Sequence, residues 1–423
     1  MANTPTKIAD VIQPELFAQY VIDRTTEKSE IMYAGAIENN PVLNQLIVGG
    51  GTIFHMPKWN DLGGNSEVLS DSSSLGVDKI TSYQELATLM IRGKAWGANE
   101  LAGALAGDDP MKAIASLVAD WWVRDEKTTL MSILNGIFAS ASMADLVLDI
   151  HGESGDDSKI NGNAVLDAKQ LLGDASDQLT MLYMHSAVFT ELQKQNVIAF
   201  IPVAESHITI PTYLGYRVVC DDSAPRVAKR PATWVATLGG TYAASDTVTL
   251  AGVTYTVLST DTTLAKIATA LASAINADST ASATYKATAE GEKVTVAQKV
   301  PGTGSAVTGT KASTAGTIEV ADGQSAITKD YYTTYLLSRG CIQRGTGVPV
   351  SLTPVETDRD SLASVDYLIN RQAKVLHPRG ISWIGSANIS GATPSNDEFA
   401  TGANWNRVAE VKKIGIVKLV HTL

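Results

Sequence analysis

The sequence predicts an α+β fold interrupted by one inserted β-rich module, and three observations predict it. Apolar residues recur every three or four positions through residues 108–139. Apolar and polar residues alternate at period two in the segments on either side. The composition shifts abruptly between residues 231 and 327.

Residues 1–51 read as an extended arm with short helices. Pro14 opens a segment with Leu16, Phe17, Tyr20 and Val21 in helical register, and Ile31, Ala34 and Ile37 form a second. Both are too short to be stable unless packed on something else. In TIFHMPKWNDL, Ile53 and His55 face one way and Phe54 and Met56 the other; NSEVLSDSSSLGVDKI is a polar turn region, and ITSYQELATLMIRGKAWGAN returns as a strand. Residues 52–97 therefore form a long hairpin, which needs a partner surface to be stable. The preceding Gly49-Gly50-Gly51 is a flexible entry to this strand, because no Gly-Lys-Ser/Thr follows it as a phosphate loop requires.

Residues 98–162 carry the long helix, 108–139. Asp108 or Asp109 serves as N-cap and Pro110 suits the first turn. Met111, Ile114, Leu117, Val118, Trp121, Trp122, Leu130, Ile133, Leu134 and Ile137 make its apolar stripe, with Asp120, Arg124, Asp125 and Lys127 between. Its about 29 residues past the cap, at about 1.5 Å each, span roughly 43 Å, long enough to serve as a backbone for the rest. Residues 163–230 read as an α/β unit: a helix from Ala164 to Leu172, LTMLYMHSAVFTEL as strand into helix, and YLGYRVVCDD as a strand. Residues 231–327 are rich in Thr, Ala, Gly, Ser and Val and read as a β-β-α-β-β module. Its hairpins turn at Ala251-Gly252 and Glu290-Gly291-Glu292, and Asp261 or Thr262 caps a helix bearing Leu264, Ile267, Leu271 and Ile275. Residues 328–347, including DYYTTYLLSRGCIQRGTG, form one long strand, and 348–423 return to end on the strand KKIGIVKLVHTL.

A net charge of -11 argues against a surface that grips nucleic acid by neutralising phosphates. The two cysteines, Cys220 and Cys341, read as small apolar residues on neighbouring strands rather than a disulfide framework. No N-terminal basic segment precedes a long apolar run, so no signal peptide is expected, and no run approaches the about 18 apolar residues that span a bilayer. HExxH, GxSxG and CxxC are absent. The loop with Asp149, His151, Glu153, Asp156 and Asp157 fits neither calcium nor zinc spacing, and His185 at a strand end reads as structural. No catalytic, cofactor-binding or metal residue is assigned, and no enzyme or cofactor is expected. Trp59 and Trp96, at the base of the hairpin, are the candidate subunit-interface residues.

Taken together, IADVIQPELFAQYV, GGGTIFHMPKWNDLGG, RGKAWGANELAGALAGDDPMKAIASLVADWW and YYTTYLLSRGCI resemble, in order and wording, the major capsid proteins of tailed bacteriophages with the Hong Kong 97-like fold. The resemblance covers nearly all of residues 1–230 and 328–423. It implies that 52–97 is the extended loop overlapping an adjacent subunit and 108–139 the spine helix of a peripheral domain. It further implies that 163–230 with 328–347 is the axial domain. The expected product is a self-assembling icosahedral shell of hexamers and pentamers around double-stranded DNA, made in the bacterial cytoplasm and located in the virion. Portal, scaffolding and head-completion or decoration proteins are the implied partners; no membrane is involved. Two departures stand out: the extra module, expected to face outward, and the lack of a long N-terminal scaffold-like segment. A tail or baseplate protein and an encapsulin-like nanocompartment are the alternative readings.

Overall fold

Capping and register chemistry fix the first elements of the computed structural model, which describes residues 35–69, 75–106, 110–202 and 209–423. The expected arm helix at Pro14 and the caps Asp108 and Asp109 lie outside the described residues. The chain divides into two units, one of residues up to 225 with 333–421 and one of 226–332 with the last two residues.

In chain order the first unit begins with β1 (Ile37–Asn39) and α1 (Pro41–Gly49). Asn40 caps α1 by accepting the Val42 N–H at 2.9 Å, and Pro41 occupies the first turn. Then follow β2 (Ile53–Trp59), β3 (Ser82–Thr88), β4 (Met90–Asn99), α2 (Glu100–Ala106) and the 30-residue α3 (Pro110–Ala139). The next stretch holds β5 (Val147–Asp149), α4 (Gly162–Gln170), β6 (Leu179–Met184), α5 (Ser186–Lys194), β7 (Ala199–Pro202), β8 (Thr209–Tyr213) and β9 (Tyr216–Cys220).

The second unit carries β10 (Arg226–Val227), β11 (Thr233–Thr241), β12 (Thr247–Leu250), β13 (Val253–Thr256), α6 (Leu264–Ala277), α7 (Ala281–Thr284), β14 (Tyr285–Glu290), β15 (Lys293–Gln298), β16 (Gly309–Ala312) and β17 (Ala315–Asp322). Its four-stranded sheet runs β14-β15-β11-β17 and its three-stranded sheet β13-β12-β16. Apolar residues of α6 (Ile267, Leu271, Ile275) and of the strands (Trp234, Leu238, Val248, Val294, Val296) form one core. The module is thus larger than β-β-α-β-β: β11, β16 and β17 are additional strands, containing Gly and Ala, residues that are depleted in strands and weaken the strand signal. The helix cap is Thr263, not Asp261 or Thr262; Asp261 instead accepts from the Tyr255 hydroxyl at 2.7 Å and the Leu258 N–H at 2.8 Å. The turn at Ala251-Gly252 has φ of 52° and 77°, the paired left-handed geometry of a two-residue hairpin. At the module's root, Arg226 and Val227 pair antiparallel with Tyr332 and Tyr331, and Arg230 bridges Ile327, so both connections leave side by side.

The chain then returns through β18 (Tyr331–Ser338), β19 (Ile342–Gly347), β20 (Val355–Asp360), β21 (Val365–Pro378), β22 (Ile381–Trp383), α8 (Asn396–Phe399), β23 (Trp405–Arg407) and β24 (Ile416–Thr422). The expected single strand at 328–347 is two strands in different sheets. The break is at Gly340, whose φ of 64° is left-handed. One sheet runs β1-β19-β21-β20 with β4 also paired to β21; the other follows β5-β24-β18-β6-β9-β8-β7. Cys220 ends β9, which lies one strand from β18 across β6, and Cys341 falls after β18. The expected neighbouring cysteine strands are therefore separated, and no disulfide joins the two cysteines.

The spine helix α3 joins these sheets unevenly. Residues 110–121 include no fully buried side chain, whereas Trp122, Leu130, Ile133, Leu134 and Ile137 are buried. Where burial begins, two adjacent charges anchor the helix in two directions. Glu126 accepts from Arg344 Nη2 at 2.9 Å and from Lys374 Nζ at 3.4 Å, tying α3 to β19 and β21. Lys127 donates to Asp221 at 3.2 Å, just beyond β9. Lys374 also lies over the Trp122 ring, 5.2 Å from its centroid. Burial holds the Lys374 amine below its usual range despite Glu126. Removing one member of such a buried pair strands its partner's charge, at about 3–5 kcal/mol.

Candidate assembly surfaces

The hairpin forms because β2 and β3 alternate in phase, with cross-strand pairs from Ile53 opposite Thr88 to Trp59 opposite Ser82. It ends at Thr88, short of the expected residue 97. Met90–Asn99 leaves as β4 to pair with β21, from Met90 opposite Lys374 to Asn99 opposite Val365. The switch falls at buried Leu89, and Phe54, Ala87 and Leu89 pack with Leu43, Ile47 and Val375. Past the last pair the arms stay joined: the Asn60 N–H donates to Thr81 O at 2.8 Å and the Gly76 N–H to Glu67 at 3.0 Å. The apolar side chains here are strongly exposed, including Trp59 at 69%, Leu62 at 81%, Val68 at 95%, Leu69 at 80% and Val77 at 97%, with Leu75 and Ile80 also exposed. Leaving such a group in water is unfavourable, and patches of this kind mark interaction sites.

Of the two tryptophans singled out from the sequence, Trp59 stands at the distal end of the paired strands rather than at the base. Trp96 lies on β4, half-buried, its ring edge-on to Trp121 at 5.4 Å. The structure does not bring them together in one contact. Midway along the paired strands, Glu85 is fully buried and receives Lys58 Nζ at 2.6 Å and His377 at 3.1 Å. Burial pushes this carboxyl up, but the hydrogen bonds from His377 and Lys58 outweigh it and hold it below the usual carboxylate range. Burial likewise keeps the His377 imidazole below its ordinary value.

Beside the distal end of the paired strands lies a cleft of about 500 Å³, walled by Lys58, Trp59, Tyr83, Arg379, Lys412 and Lys413. These residues come from β2, β3, the β21–β22 turn and the loop before β24, so no sequence spacing announces the cleft. Lys412 reaches Asp174 at 2.7 Å and Lys413 reaches Asp61 at 2.6 Å, both pairs largely exposed.

The histidines flagged in the sequence serve locally. His185 caps α5, accepting the Ala187 N–H at 3.1 Å, and His151 bonds the Asp149 carboxylate. Among the described residues, no three His, Cys, Asp or Glu side chains are grouped to hold a metal ion, and no helix is long and apolar enough to cross a membrane.

No family model matches the sequence. The chain is 34% identical over 420 residues to the major capsid protein of Bacillus phage SPP1, covering 99% of this chain and 98% of that protein. Among solved structures, the capsid of Ralstonia phage GP4 superposes with a TM-score of 0.50 at 7% identity, over 100% of this chain and 98% of that one. The capsid asymmetric unit of cyanophage Pam1 aligns with a TM-score of 0.48 at 10% identity, over 100% and 99% of the two chains. At 7% identity the match to the GP4 capsid speaks to the fold alone, a mixed helix-and-sheet capsid fold. The sequence match is different in kind, for it runs nearly from end to end of a head subunit and takes in hairpin, spine helix and module alike, and on it this chain belongs to the family of bacteriophage major capsid proteins.

Proposed function

We propose that this chain assembles through its projecting hairpin into hexamers and pentamers of an icosahedral, Hong Kong 97-like shell that encloses double-stranded DNA. The carrying observation is the hairpin, whose apolar side chains are exposed among the described residues and call for a neighbouring copy. A shell multiplies that one contact by symmetry, so modest burial at roughly 25 cal/mol per Å² becomes large in sum. In this reading Trp59 packs on the neighbour, and Trp96 supports the sheet beneath the spine helix while its exposed edge meets an adjacent subunit. The net charge of -11 suits a container: acidic walls repel packaged DNA, and acidic subunits repel one another until salt screens them. Portal, scaffolding and head-completion or decoration proteins would complete the particle. A tail tube or a cargo compartment is disfavoured because the 34% identical relative is a head protein matched along 98% of its length.

The module faces outward in this reading, since inside it would compete with DNA for space. Its paired connections supply a test. Replacing residues 231–326 by Asn-Gly closes the Arg230–Ile327 bridge with a two-residue turn. The shortened chain is expected to fold and form particles of the same diameter, seen by electron microscopy, with lower thermal stability. A subunit that cannot fold would refute the insertion.

A further inference from the structure

We infer that the cleft beside the distal end of β2 and β3 is a receptor for a carboxylate-bearing segment of a second copy of this chain, seated by Arg379 between Trp59 and Tyr83. The inference rests on the shell reading above and names the chemistry of one of its contacts.

The charge balance around the cleft is uneven. Lys58 is committed to buried Glu85, while Lys412 and Lys413 hold the exposed carboxylates of Asp174 and Asp61. Exposed pairs of this sort contribute about 0–1 kcal/mol, so these lysines exchange partners easily. Arg379 is exposed at the turn between β21 and β22, and among the described residues no carboxylate pairs with its guanidinium. That planar fork matches a carboxylate in two-point geometry. Trp59 and half-buried Tyr83 give the cleft aromatic walls, against which the stem of an acidic side chain packs. Tryptophan, tyrosine and arginine are the residue types that dominate binding energy at protein interfaces.

A second copy is the occupant the observations favour. Trp59 belongs both to the cleft and to the exposed apolar hairpin, so a subunit that covers the hairpin reaches the cleft as well. Each copy carries 44 acidic against 33 basic residues and so offers carboxylates in excess. A DNA phosphate fits the same fork but not the aromatic walls continuous with an apolar strip.

The test uses the full-length chain with Arg379→Glu and Arg379→Gln, each checked by thermal melting and then followed by sedimentation and electron microscopy. Both variants are expected to melt as the parent does, because Arg379 is exposed. Arg379→Glu is expected to lower the shell fraction by about tenfold or more at low salt, with Arg379→Gln between. In shells grown from mixed light and heavy isotope-labelled subunits, a carbodiimide is expected to join Lys412 or Lys413 of one copy to an Asp or Glu of another. Parental shells together with unchanged Arg379→Glu shells and no such crosslink would overturn the cleft assignment while leaving the shell reading intact. Intact Arg379→Glu shells that lose only bound DNA would overturn it in favour of phosphate. A parent chain that stays monomeric would overturn the shell reading and this inference with it.

Discussion

A chain in which residues 60–81 are replaced by Asn-Gly folds with an unchanged melting temperature and forms no shells. The strands allow the change, since Trp59 and Ser82 are a cross-strand pair and a two-residue turn closes such a pair without altering register. The removed segment contributes little to the subunit's core: Leu62, Val68, Leu69, Leu75, Val77 and Ile80 are all exposed. Buried on a neighbour, such side chains are worth about 1.5–3 kcal/mol each, on the order of 10 kcal/mol per interface before the losses of association. Forfeiting even half of that shifts each association step by several orders of magnitude, about tenfold for every 1.4 kcal/mol. Sedimentation velocity beside a melting curve reads both parts of the result. Normal shells from the shortened chain would remove the hairpin from the assembly mechanism; a lowered melting temperature would show that the tip serves the subunit's own fold.

Substituting Gly136 has the opposite signature, loss of the subunit rather than of the shell. Glycine inside a helix is unfavourable by about 1 kcal/mol relative to alanine, so helix propensity alone makes Gly136→Ala stabilising. Packing reverses the sign. A Cβ at Gly136 would overlap the Phe399 carbonyl oxygen and come within 2.7 Å of Trp405 Nε1. These two groups are joined by a 2.8 Å hydrogen bond, and Phe399 and Trp405 pack with Trp383, so neither can move alone. Overpacking against backbone is expected to outweigh the propensity gain, with a net loss of about 2 kcal/mol for Gly136→Ala and more for Gly136→Val. Thermal melting and soluble yield measure it. Gly152→Ala is the control, since nothing lies within 4 Å of a Cβ there, and it should leave both unchanged.

What the sequence made legible follows from how far each signal reaches. The spine helix was readable because Leu130, Ile133, Leu134 and Ile137 repeat through consecutive turns and Pro110 marks the start. Its uneven burial was not, because the spacing of Ile114, Leu117 and Val118 looks the same whether or not a sheet lies beneath; here all three are only half-buried. The hairpin was drawn too long because strand-like sequence runs on from Ser82 to Asn99 while the chain changes partner at Leu89, and a change of partner leaves no mark on side-chain period. A single residue in the left-handed region, Gly340, separates two strands that read as one. Trp59 was legible as a candidate interface aromatic, but it was expected at the hairpin base and stands instead at the distal end of the paired strands. Arg379, Tyr83 and Lys412 were not legible, since they meet only through the folding together of segments far apart in the chain.

Electron microscopy of the purified full-length chain, with sedimentation alongside, tests the central claim most directly. Closed icosahedral particles built of hexamers and pentamers, each subunit's hairpin lying across its neighbour, are the expected result. A well-behaved monomer, or tubes without fivefold vertices, would contradict it.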